Sequence, residues 1–467
     1  MNNPAPPLSG EEFVRRFAEI HPAFEPRAAL VEANRCLYCF DAPCATACPT
    51  HIDVPRFIKK IASGNLRGSA QAILDANILG LSCARVCPVD VLCEGACVMN
   101  KYNRQPIEIG RLQRHAMDYF YSRGPKLAVA ELGTWKVACV GGGPASLACA
   151  AELRRNGVSV TIFDRHAMPG GLNTYGIAEY KLRPADSLKE VELVRGMGVN
   201  FETGVEVGQS PGLETLEAEY DAIFLGIGLG PTQALGVSGE NLPGVVDALR
   251  FIADYKTGTA QVGTRVVVVG AGNTAIDAAT AAVRLNASSV SIVYRRSESE
   301  MPAFRYEFEL AKQDGIEFRW LTQPVAIHGS EAVESVECVR MELGPPDEGG
   351  RRFPQPVEGS NFRLPSDMVI TALGQSRLIA FLEKCRGVML EKQRVAVTPE
   401  TGQTTNPRYF AGGDCVSGGR EVVDAAADGK RAARGILAWL GSSDESRPGS
   451  ARQTLHSTPD SATQPTK

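Results

Sequence analysis

The sequence predicts an α/β protein that begins with a small helical domain and continues into domains built on parallel sheets. Three features of the chain lead to this prediction. Eight of the thirteen cysteines lie between positions 36 and 97, in a segment with helical apolar spacing. Two units of strand, glycine turn, helix and strand follow, the first from Lys136 and the second from Val266. A further glycine-rich turn lies at Gly412.

Length and composition describe an ordinary protein of several domains. The 467 residues correspond to about three domains. A formal net charge of −4 with 22% charged residues gives no basic field, so no nucleic-acid partner is expected. The segment Met1–Gly10 lacks the apolar core of a signal peptide, and no run of about 18 apolar residues occurs. We therefore expect a cytoplasmic chain without membrane association.

The clustered cysteines are predicted to bind metal, because thiols stay reduced in the cytosol. The first four have the spacing C-x2-C-x4-C-x3-C before Pro49, a variant of the ferredoxin pattern in which the last cysteine serves another cluster. The second four have the spacing C-x3-C-x5-C-x3-C. Eight thiolates suffice for two [4Fe-4S] clusters. The alternative is a pair of zinc sites with C-x2-C knuckles, a spacing that only Cys36 and Cys39 show.

The first predicted dinucleotide-binding unit lies between residues 136 and 164. An apolar strand at 136–140 leads into Gly141-Gly-Gly-Pro-Ala-Ser146 and an alanine-rich helix, and a second strand at 158–163 ends at Asp164. Glycines let the backbone approach a pyrophosphate, the helix N-terminus supplies a positive dipole, and the acid can bind a ribose hydroxyl. The acid follows the first glycine by 164 − 141 = 23 residues, close to the spacing of the motif.

The same unit recurs 129 residues later, at 270 against 141. A strand at 266–269 leads into Gly270-Ala-Gly-Asn-Thr-Ala275 and a helix, and the next strand covers 290–294. Arg295 and Arg296 stand where an acid would bind a free 2′-hydroxyl, so this unit is predicted to prefer the 2′-phosphate of NADPH. Two solvated arginines at an exposed strand end are the alternative interpretation.

The turn Gly412-Gly413-Asp414 precedes a helix predicted over 421–433, and its aspartate is a candidate ligand for the ribityl chain of a flavin. Apolar strands at 222–228 and 368–374 are interpreted as crossovers between the nucleotide domains. We thus predict a helical iron–sulfur domain followed by two Rossmann-like dinucleotide-binding domains, the nicotinamide domain inserted in the FAD domain. The predicted bounds are 1–130 (clusters), 131–240 and 366–440 (FAD), 241–365 (NAD(P)) and 441–467 (a polar, disordered tail).

From about Ala33 to Leu440 the chain resembles the flavin and NADPH half, or small subunit, of dihydropyrimidine dehydrogenase. The family's motifs appear in order, including serine at Ser146 and a Gly170-Gly171-Leu172 loop. The resemblance implies FAD binding by Gly141, Gly142, Gly143, Pro144, Ala145, Asp164, Gly170, Gly171, Leu172, Lys181, Gly413, Asp414 and Val422. It implies NAD(P)H binding by Gly270, Ala271, Gly272, Asn273, Thr274, Arg295, Arg296, Ala372, Leu373 and Gly374.

The resemblance also assigns the ligands of the clusters. It gives one cluster Cys36, Cys39, Cys44 and Cys97, and it gives the other Cys48, Cys87, Cys93 and Gln113. Cys83 is then not bonded to iron. Spacing alone leaves open whether Cys83 or Gln113 completes the second cluster. No residue is predicted to act as a general acid or a nucleophile.

Two related families share this architecture: the glutamate synthase small subunit and the flavin subunit of NADPH-dependent ferredoxin oxidoreductases. Glutamate synthase small subunits typically have three residues between the cysteines matching Cys87 and Cys93, where this chain has five. Ferredoxin oxidoreductase subunits tend to carry glutamate where this chain has Gln113. Both differences favour dihydropyrimidine dehydrogenase. A disulfide relay like that of thioredoxin reductase is disfavoured, since neither nucleotide domain contains C-x-x-C.

The resemblance implies an oxidoreductase subunit that takes hydride from NAD(P)H onto FAD and passes electrons through two [4Fe-4S] clusters. The pyrimidine-reducing step of the family needs an FMN-bearing barrel of about 250 residues, for which this chain has no room. We therefore expect a hetero-oligomer with an FMN-containing catalytic subunit that interconverts uracil or thymine and their 5,6-dihydro forms. The arginines favour NADPH, whereas bacterial members of the family often use NADH.

Overall fold

The computed structural model describes residues 8–124, 126–347 and 352–444. Its helices are α1 (Gly10–Arg16), α2 (Pro26–Asn34), α3 (Pro43–Thr46), α4 (Val54–Ala62), α5 (Leu66–Ala76), α6 (Gly80–Val86), α7 (Ile109–Tyr121), α8 (Pro144–Arg155), α9 (Leu172–Tyr175), α10 (Pro184–Gly196), α11 (Leu213–Glu219), α12 (Ala248–Lys256), α13 (Asn273–Arg284), α14 (Arg305–Gln313), α15 (Ile379–Leu382), α16 (Asp414–Ser417) and α17 (Val422–Asp444).

The strands are β1 (Lys136–Val140), β2 (Ser159–Asp164), β3 (Asn200–Thr203), β4 (Ala222–Leu225), β5 (Val245–Asp247), β6 (Arg265–Val269), β7 (Ser289–Val293), β8 (Glu317–Arg319), β9 (Thr322–His328), β10 (Ser335–Pro346), β11 (Arg352–Pro356), β12 (Phe362–Pro365), β13 (Met368–Thr371), β14 (Leu390–Glu391), β15 (Arg394–Val395) and β16 (Tyr409–Ala411). Short 3₁₀ turns cover Val98–Tyr102 and Glu298–Glu300.

Helices α1–α7 precede the first sheet. Helices α2–α7 form the cysteine-rich domain, whereas Phe13 of α1 packs against the core that contains α12 and α13. Asp53 caps α4 and Asn65 caps α5, each side chain accepting a backbone N–H from the first turn of its helix. The apolar spacing of α4 buries Phe57 and Ile61 in a core that also contains Met117 of α7. The predicted helical character of this region is confirmed.

Two five-stranded parallel sheets carry the glycine turns. The first has the order β16-β4-β1-β2-β3, and the second has the order β5-β13-β6-β7-β8. The first and second glycine turns follow the central strands of the two sheets, β1 and β6, and these strands are buried and apolar as central parallel strands must be. All strands of the second sheet lie between β4 and β16 in the sequence, which confirms that the nicotinamide domain is inserted in the FAD domain.

The predicted return to the FAD domain at residue 366 is wrong. Strand β13 (Met368–Thr371) pairs in parallel with both β5 and β6, so it belongs to the second sheet. The apolar pattern identified a buried strand, but such a pattern does not say which of two parallel sheets the strand joins. The chain re-enters the first sheet only at β16, which pairs with β4.

The predicted start of the tail at residue 441 is also wrong, because α17 continues to Asp444. Leu440 is buried, and the polar residues after it extend the helix by one turn beyond the last buried position. The rest of the predicted tail, 445–467, lies outside the described residues.

An antiparallel sheet of β9–β12 was not anticipated from the sequence. β10 pairs with β9, β11 and β12, and this sheet lies in the chain between β8 and β13. Over the part of the chain that is described, the structure contains no helix both long and apolar enough to cross a membrane.

Candidate functional site

The first glycine turn packs tightly against the neighbouring backbone. Gly141 has φ +90°, and a Cβ added there would lie 2.5 Å from the carbonyl oxygen of Gly226. The N–H of Gly170 donates to the carbonyl of Gly142 at 2.8 Å. A Cβ on Gly171 would lie 2.9 Å from the Cα of Gly143. The turn and the Gly170–Gly171 loop therefore lie side by side. Gly141 and Gly171, which both have positive φ, are required by this packing.

The third glycine turn meets the first at the N-terminus of α8. Gly413 has φ +75°, and a Cβ added there would lie 3.1 Å from the Cβ of Ala145. Asp414 accepts the N–H of Arg420 at 3.1 Å, and burial raises the pKa of this carboxyl. The structure thus brings together the three segments predicted to hold FAD, around a helix N-terminus that favours a pyrophosphate.

One residue of this region escaped the sequence analysis. Asn173 follows the Gly170–Gly171 loop and is 1% exposed, and its Oδ1 has no hydrogen-bond partner among the described residues. An unpaired buried amide oxygen is costly, so it indicates a donor supplied by a ligand. The open glycine backbone and this unpaired oxygen fit a bound flavin nucleotide. The sequence shows only that an asparagine follows Leu172; it does not show that the side chain is buried with an unpaired oxygen.

Two residues predicted to contact FAD have protein partners in the structure. Asp164 accepts the N–H of Gly142 at 2.6 Å and the N–H of His166 at 2.7 Å, so its carboxylate first of all holds the glycine turn. The buried ammonium of Lys181 lies 2.6 Å from Asp277 and 2.7 Å from Glu307, both in the nicotinamide domain. A contact of Lys181 with flavin stays a prediction.

The second glycine turn has the same geometry in the nicotinamide domain. Gly270 has φ +125°, and a Cβ added there would lie 2.3 Å from the carbonyl oxygen of Ala372. The predicted segments 270–274 and 372–374 are therefore adjacent. Gly374 has φ +87° with open space around its missing Cβ, and Asn273 accepts the N–H of Phe304 at 3.0 Å. The open space next to the turn fits a bound dinucleotide.

The two arginines after β7 differ in environment. Arg295 is exposed and Arg296 is half-buried. The Nε of Arg296 is buried without a hydrogen-bond partner among the described residues. A buried, unpaired guanidinium donor fits an anionic group such as a 2′-phosphate.

Replacing Arg295 and Arg296 together by alanine should raise the KM for NADPH about tenfold or more, since each charge-assisted contact contributes ~1.5–3 kcal/mol. The KM for NADH should change little. Steady-state oxidation of both cofactors with ferricyanide as acceptor measures this, and Arg305→Ala, an exposed arginine paired with Glu298, is the control. Equal use of NADPH and NADH by the unmodified chain would contradict the assignment.

Four cysteines of the N-terminal domain line one cavity. They are the four that the resemblance assigns to the first cluster, Cys36, Cys39, Cys44 and Cys97. The loop bends sharply between them, with Tyr38 at φ +51° and Ala42 at φ +37°. Burial and the neighbouring Cys36 raise the pKa of Cys44 to about 12, so a thiolate there requires a compensating positive charge. Four thiols around one cavity fit a [4Fe-4S] cluster, whose irons supply that positive charge.

The remaining cysteines of the region form a second group. A hydrogen bond with Cys83, burial and the charges of Cys83, Cys93 and Cys48 raise the pKa of Cys87. Cys83 is buried and also accepts a hydrogen bond from Asn77 at 3.2 Å. No three His, Cys, Asp or Glu side chains within 8–124, 126–347 and 352–444 lie close enough together to share a single metal ion.

Gln113 lies on α7 and is buried. Its Nε2 donates to the carbonyl of Gly80, the first residue of α6, at 2.8 Å. This bond fixes the amide and leaves its oxygen available. Whether that oxygen or the Cys83 thiolate completes the second cluster stays a prediction.

Family models match most of the chain. Residues 13–125 match dihydropyrimidine dehydrogenase domain II with a 4Fe-4S cluster, and residues 135–429 match the pyridine nucleotide-disulphide oxidoreductase family. These matches confirm the predicted fold class, the NAD(P)-dependent oxidoreductase class and the cofactor classes, namely [4Fe-4S], FAD and NAD(P)H.

Glutamate synthase small chains are among the curated relatives, and they match over nearly their whole length. The glutamate synthase [NADPH] small chain of Halomonas elongata is 38% identical over 444 residues, covering 91% of this chain and 94% of that protein. The corresponding protein of Escherichia coli K12 is 39% identical over 445 residues, with 91% and 94% covered. The NADPH-Fe(3+) oxidoreductase subunit beta of Geobacter sulfurreducens is 36% identical, with 86% of this chain and 64% of that protein covered.

Solved structures share the fold of the flavoprotein part. FprA of Mycobacterium tuberculosis in complex with NADPH has a TM-score of 0.57 at 21% identity, covering 67% of this chain and 86% of that chain. Thioredoxin reductase of T. acidophilum has a TM-score of 0.54 at 21% identity, covering 66% and 99%.

The similarity to glutamate synthase small chains overrides the prediction drawn from the cysteine spacing. The five residues between Cys87 and Cys93 predict against a glutamate synthase small subunit, yet small chains of that enzyme align with this chain at 38% and 39% identity. Only the coarser part of the resemblance is confirmed, in the iron–sulfur domain and the flavoprotein module. The chain belongs to the pyridine nucleotide-disulphide oxidoreductase family, as a homologue of the glutamate synthase small chains with an N-terminal iron–sulfur domain.

Proposed function

We propose that this chain is the NADPH-oxidising subunit of a larger enzyme and delivers electrons to a partner subunit. When bound, FAD accepts hydride from NADPH and the [4Fe-4S] clusters carry single electrons onward. The observation that carries the proposal is the combination in one chain of two convergent dinucleotide cradles and a cavity lined by four cysteines. The relatives are named as small or beta subunits, which supports a hetero-oligomer.

The residues of the chain have distinct parts in this activity. The turn at 141–143 and the α8 N-terminus bind and orient one pyrophosphate, and Asp164 holds that turn through the N–H of Gly142. The turn at 270–274 does the same for the nicotinamide dinucleotide, with Arg296 directed to its 2′-phosphate. The protein thus contributes placement and electrostatics, and no general acid or nucleophile is needed.

The electron exit lies at the N-terminal domain. Leu37 and Phe40, which lie in the loop between Cys36 and Cys44, are 55% and 106% exposed. A cluster held beside such an exposed loop lies near the protein surface, where a partner subunit can accept electrons.

For the partner, the relatives favour a glutamate synthase large chain, since matches to that enzyme's small chain extend over nearly the full length of both proteins. Adding such a large chain should then give NADPH-dependent synthesis of glutamate from glutamine and 2-oxoglutarate. The same preparation with an FMN-containing, pyrimidine-reducing subunit instead tests the second candidate through uracil reduction. If neither glutamate synthesis nor uracil reduction were observed, both assignments would be contradicted.

The second candidate, the small subunit of dihydropyrimidine dehydrogenase, is favoured by Gln113. This buried amide donates to the carbonyl of Gly80 on α6, the helix that carries Cys83 and precedes Cys87, which supports the predicted role of Gln113 as a cluster ligand. NADH would then be an alternative donor, as in bacterial members of that family.

The ligand of the second cluster can be tested by a pair of variants. Cys83→Ala should keep about eight irons per chain, two clusters of four, and the same paramagnetic resonance signal. Gln113→Ala should lose one cluster or alter its signal, because an amide oxygen is a hard, uncharged ligand that alanine cannot replace. Iron lost from Cys83→Ala with Gln113→Ala unchanged would establish the all-cysteine assignment and remove the main support for the second candidate.

A further inference from the structure

Helix α10 of the FAD domain contacts both the predicted flavin loop and the helix that leads to the second cysteine group. Three side chains on one face of the helix make these contacts: Asp186, Ser187 and Glu190. Glu190 follows the other two by four and three residues, the spacings at which side chains of a helix are neighbours. All three are buried, with exposures of 7%, 2% and 1%. Buried polar groups of this kind fix the relative position of the elements that they join.

Glu190 binds the start of α6. Its Oε1 accepts the N–H of Leu81 at 2.8 Å and the N–H of Ser82 at 3.0 Å, and its Oε2 accepts the hydroxyl of Ser82. These donors belong to the first turn of the helix, where backbone N–H groups have no intrahelical acceptor. Both oxygens of a carboxylate from the FAD domain are thus committed to a helix of the cluster domain.

Asp186 and Ser187 extend the connection in both directions. Asp186 lies 3.7 Å from the guanidinium of Arg85. Arg85 is on α6, about one turn nearer to Cys87 than Leu81 and Ser82 are. Ser187 is 2.9 Å from the hydroxyl of Thr174 in α9. Because Thr174 donates its own proton to the carbonyl of Pro169, Ser187 is the donor of this bond. A Cβ on Gly170 of the flavin loop would lie 2.8 Å from the Ser187 hydroxyl.

Helix α6 carries the contact to the predicted cluster ligands. Cys87 directly follows α6, and its N–H donates to the carbonyl of Cys83. Gln113 is bonded to the carbonyl of Gly80 at the other end of the same helix. Movement of α6 relative to the FAD domain would therefore move the second cluster relative to the flavin.

We propose that α10 fixes the distance between flavin and second cluster, and that Glu190 is the positioning residue that holds α6 for this purpose. The inference rests on the proposed function, because it needs electrons to pass from the FAD domain to the cluster domain. Glu190 touches neither cofactor in this account. Its loss should slow electron transfer to the clusters and leave hydride transfer from NADPH unchanged.

Anaerobic rapid mixing of the full chain with NADPH separates the two steps. In Glu190→Ala, flavin bleaching should keep its rate, while appearance of the paramagnetic cluster signal should slow roughly tenfold, as steps that depend on the separation of reacting groups do after a small displacement. Glu190→Gln, which keeps an acceptor oxygen for the two N–H groups, should restore most of the rate. Glu192→Gln, an exposed change on the same helix, is the matched control.

Hydrogen exchange gives an independent readout, since the amides of Leu81 and Ser82 should exchange faster in Glu190→Ala than in Glu192→Gln. If Glu190→Ala fails to retain its cofactors, Ser82→Ala, which removes one hydroxyl donor, should show the slower cluster signal. Cluster reduction at the unmodified rate in the folded variant, with normal flavin bleaching, would overturn the inference. Absence of NADPH-dependent bleaching in the unmodified chain would instead count against the proposed function.

Discussion

Replacing Cys44 by alanine is expected to remove the first cluster and abolish electron delivery to any partner subunit, while NADPH still reduces the flavin. Cys44 lines the cavity with three other cysteines, so its loss leaves three thiolates for a cluster that needs four ligands. Iron content should fall from about eight to about four per chain. Iron and sulfide analysis, together with NADPH-dependent bleaching of the flavin, measure both parts of the prediction.

The matched control is Cys338→Ala. Cys338 is a buried cysteine on β10 in the antiparallel sheet, whereas Cys44 is half-buried, and Cys338 is interpreted as a small apolar residue. Its variant should keep the full iron content and electron delivery. Unchanged iron in Cys44→Ala would show that the cavity cysteines do not hold a cluster.

Gly141→Ala should strip the chain of FAD. The added Cβ would lie 2.5 Å from the carbonyl oxygen of Gly226, and the backbone has φ +90°, which alanine adopts only with strain. Strain of about 1–3 kcal/mol lowers the affinity roughly 5- to 150-fold, and the turn must also shift from the pyrophosphate position. The ratio of flavin to protein after purification measures the effect.

Gly196→Ala is the control for that variant. Gly196 is the last residue of α10, and a Cβ added there meets nothing within 4 Å. In a helix alanine is favoured over glycine by about 1 kcal/mol, so this variant should keep its flavin and unfold at the same or a higher temperature. Flavin retained in full by Gly141→Ala would contradict the assignment of this turn to FAD.

Local signals in the sequence predicted much of the fold. The first strand was predicted at its observed bounds, Lys136–Val140, because an apolar run, a glycine turn and a helix follow one another without interruption. The sheet to which Met368–Thr371 belongs could not be predicted, since pairing with β5 and β6 is a long-range property. Ser146 is accommodated in α8 because Gly226, eighty residues away, has no side chain where the hydroxyl lies.

The candidate site was predictable where it depends on motifs and not where it depends on tertiary contacts. The grouping of Cys97 with Cys36, Cys39 and Cys44 came from resemblance and matches the cavity that these four line. Neither the unpaired oxygen of Asn173 nor the carboxylate of Glu190 could be identified from spacing, because their partners come from other elements. These side chains are identified as functional candidates only because they are buried, since a buried polar group requires a hydrogen-bond partner.

The partner could not be chosen from the sequence of this chain. Gln113 favours one family of enzymes, and identity over the full length favours another. Both families use the same electron-donating module, so the residues that hold the cofactors do not distinguish them.

Anaerobic addition of NADPH to the purified full chain tests whether electrons pass from the nicotinamide through the flavin to the cysteine-rich domain. We expect flavin absorbance near ~450 nm to bleach, followed by a paramagnetic signal from a reduced [4Fe-4S] cluster in the same sample. Bleaching of the flavin with no cluster signal at any time, in a chain that contains its full iron, would contradict the claim that electrons leave through the cysteine-rich domain.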